Sequence, residues 1–153
     1  EDLSDTVPQR VKLMLSRQGA ISVLAQPFHQ QSQEITLSFS EERVDRNNPM
    51  LFHKSTQRRF YERCLKSASS FEVLLINQDG DVTEGCFTNL FIKKDGILFT
   101  PALECGLLPG ILRQHFLDSG QAQEARIQRN DVEEADAVFI GNSLRGLMQA
   151  RLI

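Results

Sequence analysis

Between Glu72 and Thr100 the chain alternates apolar runs with turn signals, and no other feature narrows its fold as much. Val73, Leu74, Leu75 and Ile76 form a continuous apolar run, the pattern of a central strand covered on both faces. Asn77-Gln78-Asp79-Gly80 then supplies a hairpin turn, and Asp95-Gly96 supplies a second between Phe91 and Ile97. The spacing predicts a meander of strands over residues 72–100, which excludes an all-helical fold.

The flanking segments add helices and further strands. Val11, Leu13 and Leu15 alternate with polar or flexible residues, predicting a strand with one buried face; Gly19 marks a turn, and residues 21–25 read as a second short strand. Residues 26–33, Gln-rich around Pro27, read as a linker. Ile35, Leu37 and Phe39 alternate as a third strand. The charged stretch after it ends in Asn47-Asn48-Pro49, which should stop any regular element. Phe60, Tyr61, Cys64, Leu65 and Ala68 fall at helical spacing, predicting a helix over about 56–69. A second helix, 110–118, is entered through Pro109 and left through Gly120. Asn130 and Glu133 resemble a capping box on a short helix to Ala135, and residues 137–140 read as a last buried strand running into Gly141-Asn142-Ser143. The expectation is a mixed α and β (α+β) domain.

Composition removes several function classes. The chain has 153 residues and a net charge of −3, with 41% hydrophobic residues. That is enough for one real core and argues against disorder as the main state. A mildly acidic balance argues against nucleic acid or an anionic membrane as the main partner. Cys64, Cys86 and Cys105 are odd in number and widely spaced, which reads as reduced thiols in a cytoplasmic protein. No apolar run approaches the roughly 20 residues of a membrane span, and Glu1 to Arg10 lacks the apolar core of a signal peptide. His29, His53 and His115 are scattered, so no metal site is expected.

Three segments are odd for a core. In Phe52-His53-Lys54-Ser55-Thr56 a lysine follows an apolar pair and precedes a helix. Half burial there would make it nucleophilic, and a solvated lysine at a helix start is the plainer alternative. In the stretch from Thr83 to Phe91, Glu84 and Asn89 interrupt a sheet-like apolar run. Asn89 could serve a turn backbone or a function, whereas a buried Glu84 requires a cation or a protonated ring. In Leu107-Leu108-Pro109-Gly110-Ile111-Leu112-Arg113 a glycine precedes a helix start, where free N–H groups can bind an anion, as many ordinary helix starts could. Gly141-Asn142-Ser143 is similarly a phosphate turn or only a turn.

In this order the three segments resemble the class-IV (fold type IV) pyridoxal-phosphate enzymes, which include branched-chain and D-amino-acid aminotransferases and aminodeoxychorismate lyase. The resemblance runs from about Val11 to Ile153 and rests on Glu84, Asn89, Phe91, Thr100, Leu108, Gly110 and Arg113 with their spacings. The ending Gly-Asn-Ser-Leu-Arg-Gly, 141–146, is most similar to lyase-type domains, including those fused behind aminodeoxychorismate synthase. The resemblance implies pyridoxal 5'-phosphate as cofactor, Lys54 as the Schiff-base lysine, and Glu84 as the carboxylate facing the pyridine nitrogen. It further implies phosphate binding by the N–H groups of Ile111 and Leu112 after Gly110, with Asn142 and Ser143 near the phosphate and Leu108 packed on the ring. Many aminotransferases of the family have Thr where this chain has Leu112, so only the backbone bond would remain there. Arg58 matches a basic position that would support the site.

The family carries a small N-terminal domain of roughly a hundred residues. The resemblance implies that residues 1–25 are its last part, 26–33 a linker and 34–153 the large cofactor domain. The expected activity is aminodeoxychorismate lyase, forming 4-aminobenzoate and pyruvate for folate synthesis. The alternatives are a class-IV amino-acid aminotransferase and a non-catalytic domain that keeps the fold. Partners would be a small-molecule substrate, amino-deoxychorismate or an amino acid, and a second copy in a homodimer.

Overall fold

The computed structural model describes residues 7–29 and 34–153. Residues 1–6 of the expected N-terminal remnant and 30–33 of the expected linker lie outside the described residues. The chain divides into two compact units, Glu1–Gln33 and Glu34–Ile153.

The first unit is an antiparallel ribbon of β1 (Gln9–Leu15) and β2 (Ile21–Pro27), turned at Gly19 with φ +84°. Strand β2 takes in the first two residues of the expected linker. Register pairs Val11 with Ala25, Leu13 with Val23 and Leu15 with Ile21, so the alternating apolar side chains do share one face. That face is not buried: Val11, Leu13, Leu15, Ile21 and Val23 are 51–68% exposed. A two-stranded ribbon has no third layer to cover them.

The second unit closes on itself. Its strands are β3 (Thr36–Val44), β4 (Glu72–Asn77), β5 (Val82–Gly85), β6 (Asn89–Lys94), β7 (Ile97–Pro101), β8 (Gln123–Ala125), β9 (Ala137–Asn142) and β10 (Gly146–Leu152). The order β5-β4-β3-β10-β9-β6 returns to β5 through the pair Glu84–Asn89, forming a ring of six strands. Strand β3 runs parallel to both neighbours and the other ring contacts are antiparallel. Strands β7 and β8 extend from β6 outside the ring.

Alternate residues of β4 serve two cores, which explains the continuous apolar run. Leu74 and Ile76 join Leu37, Val82, Leu90, Ile92, Val138 and Ile140. Val73 and Leu75 join Val44, Leu51, Cys64 and Cys86, under Phe60, Tyr61 and Leu65 of the first helix. That helix, α1 (Arg59–Ser67), is shorter than expected: Gln57 N–H is held by Ser55 Oγ at 3.2 Å in a local turn, a competitor of the helical bond. Helix α2 spans Ile111–Asp118, with Gly110 as its extended N-cap.

Helix α3 (Arg129–Glu133) departs from expectation at its start. The capping box is made by Gln128 and Asp131, while Glu133 pairs with Arg129 at 2.8 Å. Strands β8 and β10 were not anticipated, and β3 runs on to Val44 across a register shift between Phe39 and Arg43. Strand β3 already ends at Val44, where Asp45 turns the chain by accepting from Asn47 N–H at 3.0 Å. Asn48-Pro49 instead starts a 3-10 turn, Pro49–Phe52, because Asn48 Oδ1 accepts the Met50 N–H at 3.0 Å. The three cysteines are buried and unpaired. Among the described residues no helix is long and apolar enough to cross a membrane.

Candidate functional site

Closure of the ring is what assembles the site. Glu84 at the end of β5 stands opposite Asn89 at the start of β6. Both are buried. Leu108 N–H donates to Glu84 Oε2 at 3.2 Å, and Asn89 Nδ2 donates to Leu108 O at 3.0 Å. Two strand residues therefore grip the peptide groups of Leu108 and fix the segment leading into α2. Gly110 is required there, because a Cβ on it would lie 2.0 Å from Asn89 Oδ1.

Immediately beyond Gly110 come the first N–H groups of α2. The Gly110 carbonyl accepts from Gln114 N–H at 2.9 Å, while the N–H groups of Ile111 and Leu112 have no carbonyl behind them by position. The Ile111 side chain is exposed, and Leu112 packs where a Cβ on Gly141 would come within 2.7 Å of it. Arg113, only 1% exposed, anchors this first turn by donating to Pro101 O at 2.8 Å and to the Glu124 carboxylate.

Burial pushes Glu84 up to about 8, and nearby Glu72 acts in the same direction. The Leu108 N–H and the charges of Arg58 and Lys54 oppose that rise. Lys54 follows the Pro49–Phe52 turn and is exposed, where half burial was one expectation. Leu51 is buried and Phe52 half-buried, so the chain turns outward only at His53. The lysine still acts on Glu84 through its charge. Tyr61 is half-buried, its hydroxyl pushed up to about 12 by burial and then by Glu84. The Arg58 guanidinium lies 4.7 Å from the Tyr61 ring centroid and donates to Cys86 O.

Asn142 is engaged with protein groups. Its Nδ2 donates to Phe87 O at 3.0 Å, and its Oδ1 accepts from Leu144 and Arg145 N–H at 3.1 and 3.0 Å. Ser143 is exposed in that turn. The structure thus brings Glu84, Leu108 and Gly110 together with the start of α2, keeps Lys54 within electrostatic reach, and ties Asn142 to the turn after Glu84.

Two residues near Glu84 escaped the sequence reading. Tyr61 counted only as a core position, and Glu72 as an edge to an apolar run. Burial pushes Glu72 up, against bonds from Val73, Phe87, Thr88 and Cys86. The one available signal was a carboxylate at the first position of a strand buried on both faces.

Comparison with known proteins bears on the family and the fold. The description "Amino-transferase class IV" matches residues 3–153. A Schizosaccharomyces pombe protein provisionally assigned as an aminodeoxychorismate lyase is 28% identical over all of this chain and 71% of its own length. A crystal structure from Mesorhizobium loti, provisionally an amino-acid aminotransferase, superposes with a TM-score of 0.91 at 40% identity, over 95% of this chain and 73% of that one. A Legionella pneumophila structure, provisionally a 4-amino-4-deoxychorismate lyase, gives 0.80 at 29% identity, over 86% and 53%. The mixed α/β fold with its closed sheet is the one these structures share. The chain belongs to the class-IV aminotransferase family, whose members are pyridoxal 5'-phosphate-dependent enzymes.

Proposed function

We propose that the protein is a pyridoxal-phosphate-dependent 4-amino-4-deoxychorismate lyase, releasing 4-aminobenzoate and pyruvate. One observation carries the cofactor reading: a buried acid, Glu84, within electrostatic reach of an exposed amine, Lys54, is bonded to the segment that opens α2. This donor set fits the cofactor at three points. The N–H groups of Ile111 and Leu112, at a helix N-terminus, would bind its phosphate, each bond to a charged group contributing about 1.5–3 kcal/mol. Leu108, half-buried between Glu84 and Gly110, would pack on the ring. Lys54 would supply the amine that joins the aldehyde, and the turn held by Asn142, with Ser143 exposed on it, would border the phosphate end.

When bound, pyridoxal phosphate acts as an electron sink for the substrate carbon bonded to nitrogen. By itself Glu84 keeps its proton up to about pH 8. Toward the cofactor, Glu84 would be the group that holds the ring nitrogen cationic, as a carboxylate beside it. Lys54 Nζ would be the base that takes the proton from the substrate ring carbon bearing the amine. Glu84 is held at a fixed position because β5, β6 and the Leu108 peptide are mutually bonded.

The lyase assignment is supported by the 141–146 turn, by Leu112 in place of the aminotransferases' threonine, and by the match to the S. pombe relative along the whole chain. The M. loti structure favours a second reading, an amino-acid aminotransferase. In that reading the same Lys54 amine would move the substrate proton with no elimination following. A cytoplasmic homodimer in folate synthesis is the setting that accompanies the first reading. Incubating the full-length protein with 4-amino-4-deoxychorismate should yield 4-aminobenzoate. No product, with turnover of amino acids against 2-oxoglutarate or pyruvate, would replace the lyase by the aminotransferase.

A further inference from the structure

The turn between Glu84 and Asn89, residues 85–88, has its peptide groups held from two sides by residues far away in sequence. Glu72 lies on one side, with no exposed surface. Its Oε1 accepts from Val73 N–H at 3.0 Å and Cys86 N–H at 2.8 Å; its Oε2 accepts from Phe87 N–H at 3.1 Å and Thr88 Oγ1 at 2.9 Å. On the other side Arg58 donates to Cys86 O and Asn142 Nδ2 donates to Phe87 O. Gly85 N–H closes the turn on Thr88 O at 2.8 Å. The packing is close: a Cβ on Gly85 would lie 2.5 Å from Thr88 Oγ1 and 2.7 Å from Glu72 Oε2.

We infer that Glu72 is a positioning residue for Glu84, acting through this turn. The inference rests on the role of Glu84 proposed above and deepens it. Glu84 directly precedes the turn and Asn89 directly follows it, and their pairing closes the ring. A carboxylate suits the place because it is an acceptor at both oxygens, and four donors meet it. Glutamine would put an NH2 group against the backbone N–H of either Cys86 or Phe87, where it finds a donor instead of an acceptor. The turn would then lose at least one bond and shift Glu84 with it.

The test is a double-mutant cycle in the full-length protein, with pyridoxal 5'-phosphate as probe. Affinity is read from the visible absorbance band gained when the cofactor joins Lys54. Amide exchange at Cys86 and Phe87 is read separately. Glu72→Gln should weaken the cofactor at least tenfold and speed exchange of at least one of the two amides at least tenfold. In a Glu84→Gln background the same change should weaken binding less than threefold, because its effect passes through Glu84. If the two losses multiply, or if the amides exchange at the wild-type rate, the inference is overturned. Should Glu72→Gln fail to fold, Thr88→Ala removes one donor to Glu72 without changing charge, and the same cycle applies with a smaller loss. Wild-type binding by Glu84→Gln would remove the proposed role of Glu84; amide exchange would then decide alone whether Glu72 holds the turn.

Discussion

Glu84 makes the stability of the protein depend on pH in a direction opposite to that of most carboxylates. Its ordinary value is 4.5, and burial in the folded chain raises it to about 8. Below pH 4.5 the acid is protonated in both folded and unfolded chains, and its contribution to stability is fully present. As pH rises from 4.5 towards 8, the unfolded chain loses the proton while the folded chain keeps it, so stability falls across that window. At about 1.4 kcal/mol per pH unit the whole interval amounts to about 5 kcal/mol as an upper bound. Even ~2 kcal/mol would lower Tm by about 8 °C, at about 4 °C per kcal/mol for a domain of this size. The assay is thermal unfolding at pH 5, 6, 7 and 8 for the wild type and Glu84→Gln, in matched ionic strength. The wild type should lose stability relative to the variant across the series, because glutamine does not titrate. Added pyridoxal phosphate should flatten the wild-type trend, since a cationic ring nitrogen lets Glu84 ionise at lower pH. Parallel wild-type and Glu84→Gln curves would refute the reasoning.

Lys54→Ala should abolish the visible band with pyridoxal phosphate while changing unfolding free energy by less than about 0.5 kcal/mol, because the lysine is exposed; absorbance titration and urea melts check both halves. Gly110→Ala should cost about 2 kcal/mol of stability by displacing the Asn89 side chain from Leu108, and should weaken inorganic phosphate binding, read by calorimetry. Arg113→Met should cost about 2 kcal/mol in urea unfolding, since it removes the bonds to Pro101 O and Glu124 that anchor the first turn of α2.

Much of the site was legible because its residues violate the pattern around them. Glu84 and Asn89 interrupt an apolar, strand-forming stretch, and a polar side chain in such a place needs a partner. The structure supplies one shared partner, the peptide groups of Leu108. Gly110 was legible as a helix start, but its contact with Asn89 was not, because the two meet only when the ring closes. The exposed face of β1 and β2 shows the same limit from the other side: alternation predicted the face correctly, and only tertiary structure could say whether anything covers it.

What stayed hidden in the sequence is the set of groups that work by holding others. Glu72 breaks no local rule, since a carboxylate at the edge of a strand normally faces water. It is buried because the 85–88 turn folds over it and points the Cys86 and Phe87 N–H groups and the Thr88 hydroxyl at it, joining the Val73 N–H beside it. The same turn claims Arg58 and Asn142, residues that the resemblance had placed as site support and near the phosphate. One short turn therefore links the segment after Lys54, the start of β4 and the end of β9. A change in any one of them can move Glu84 without touching it. The acid that the cofactor reading depends on is thus placed by contacts between segments that no spacing along the chain records.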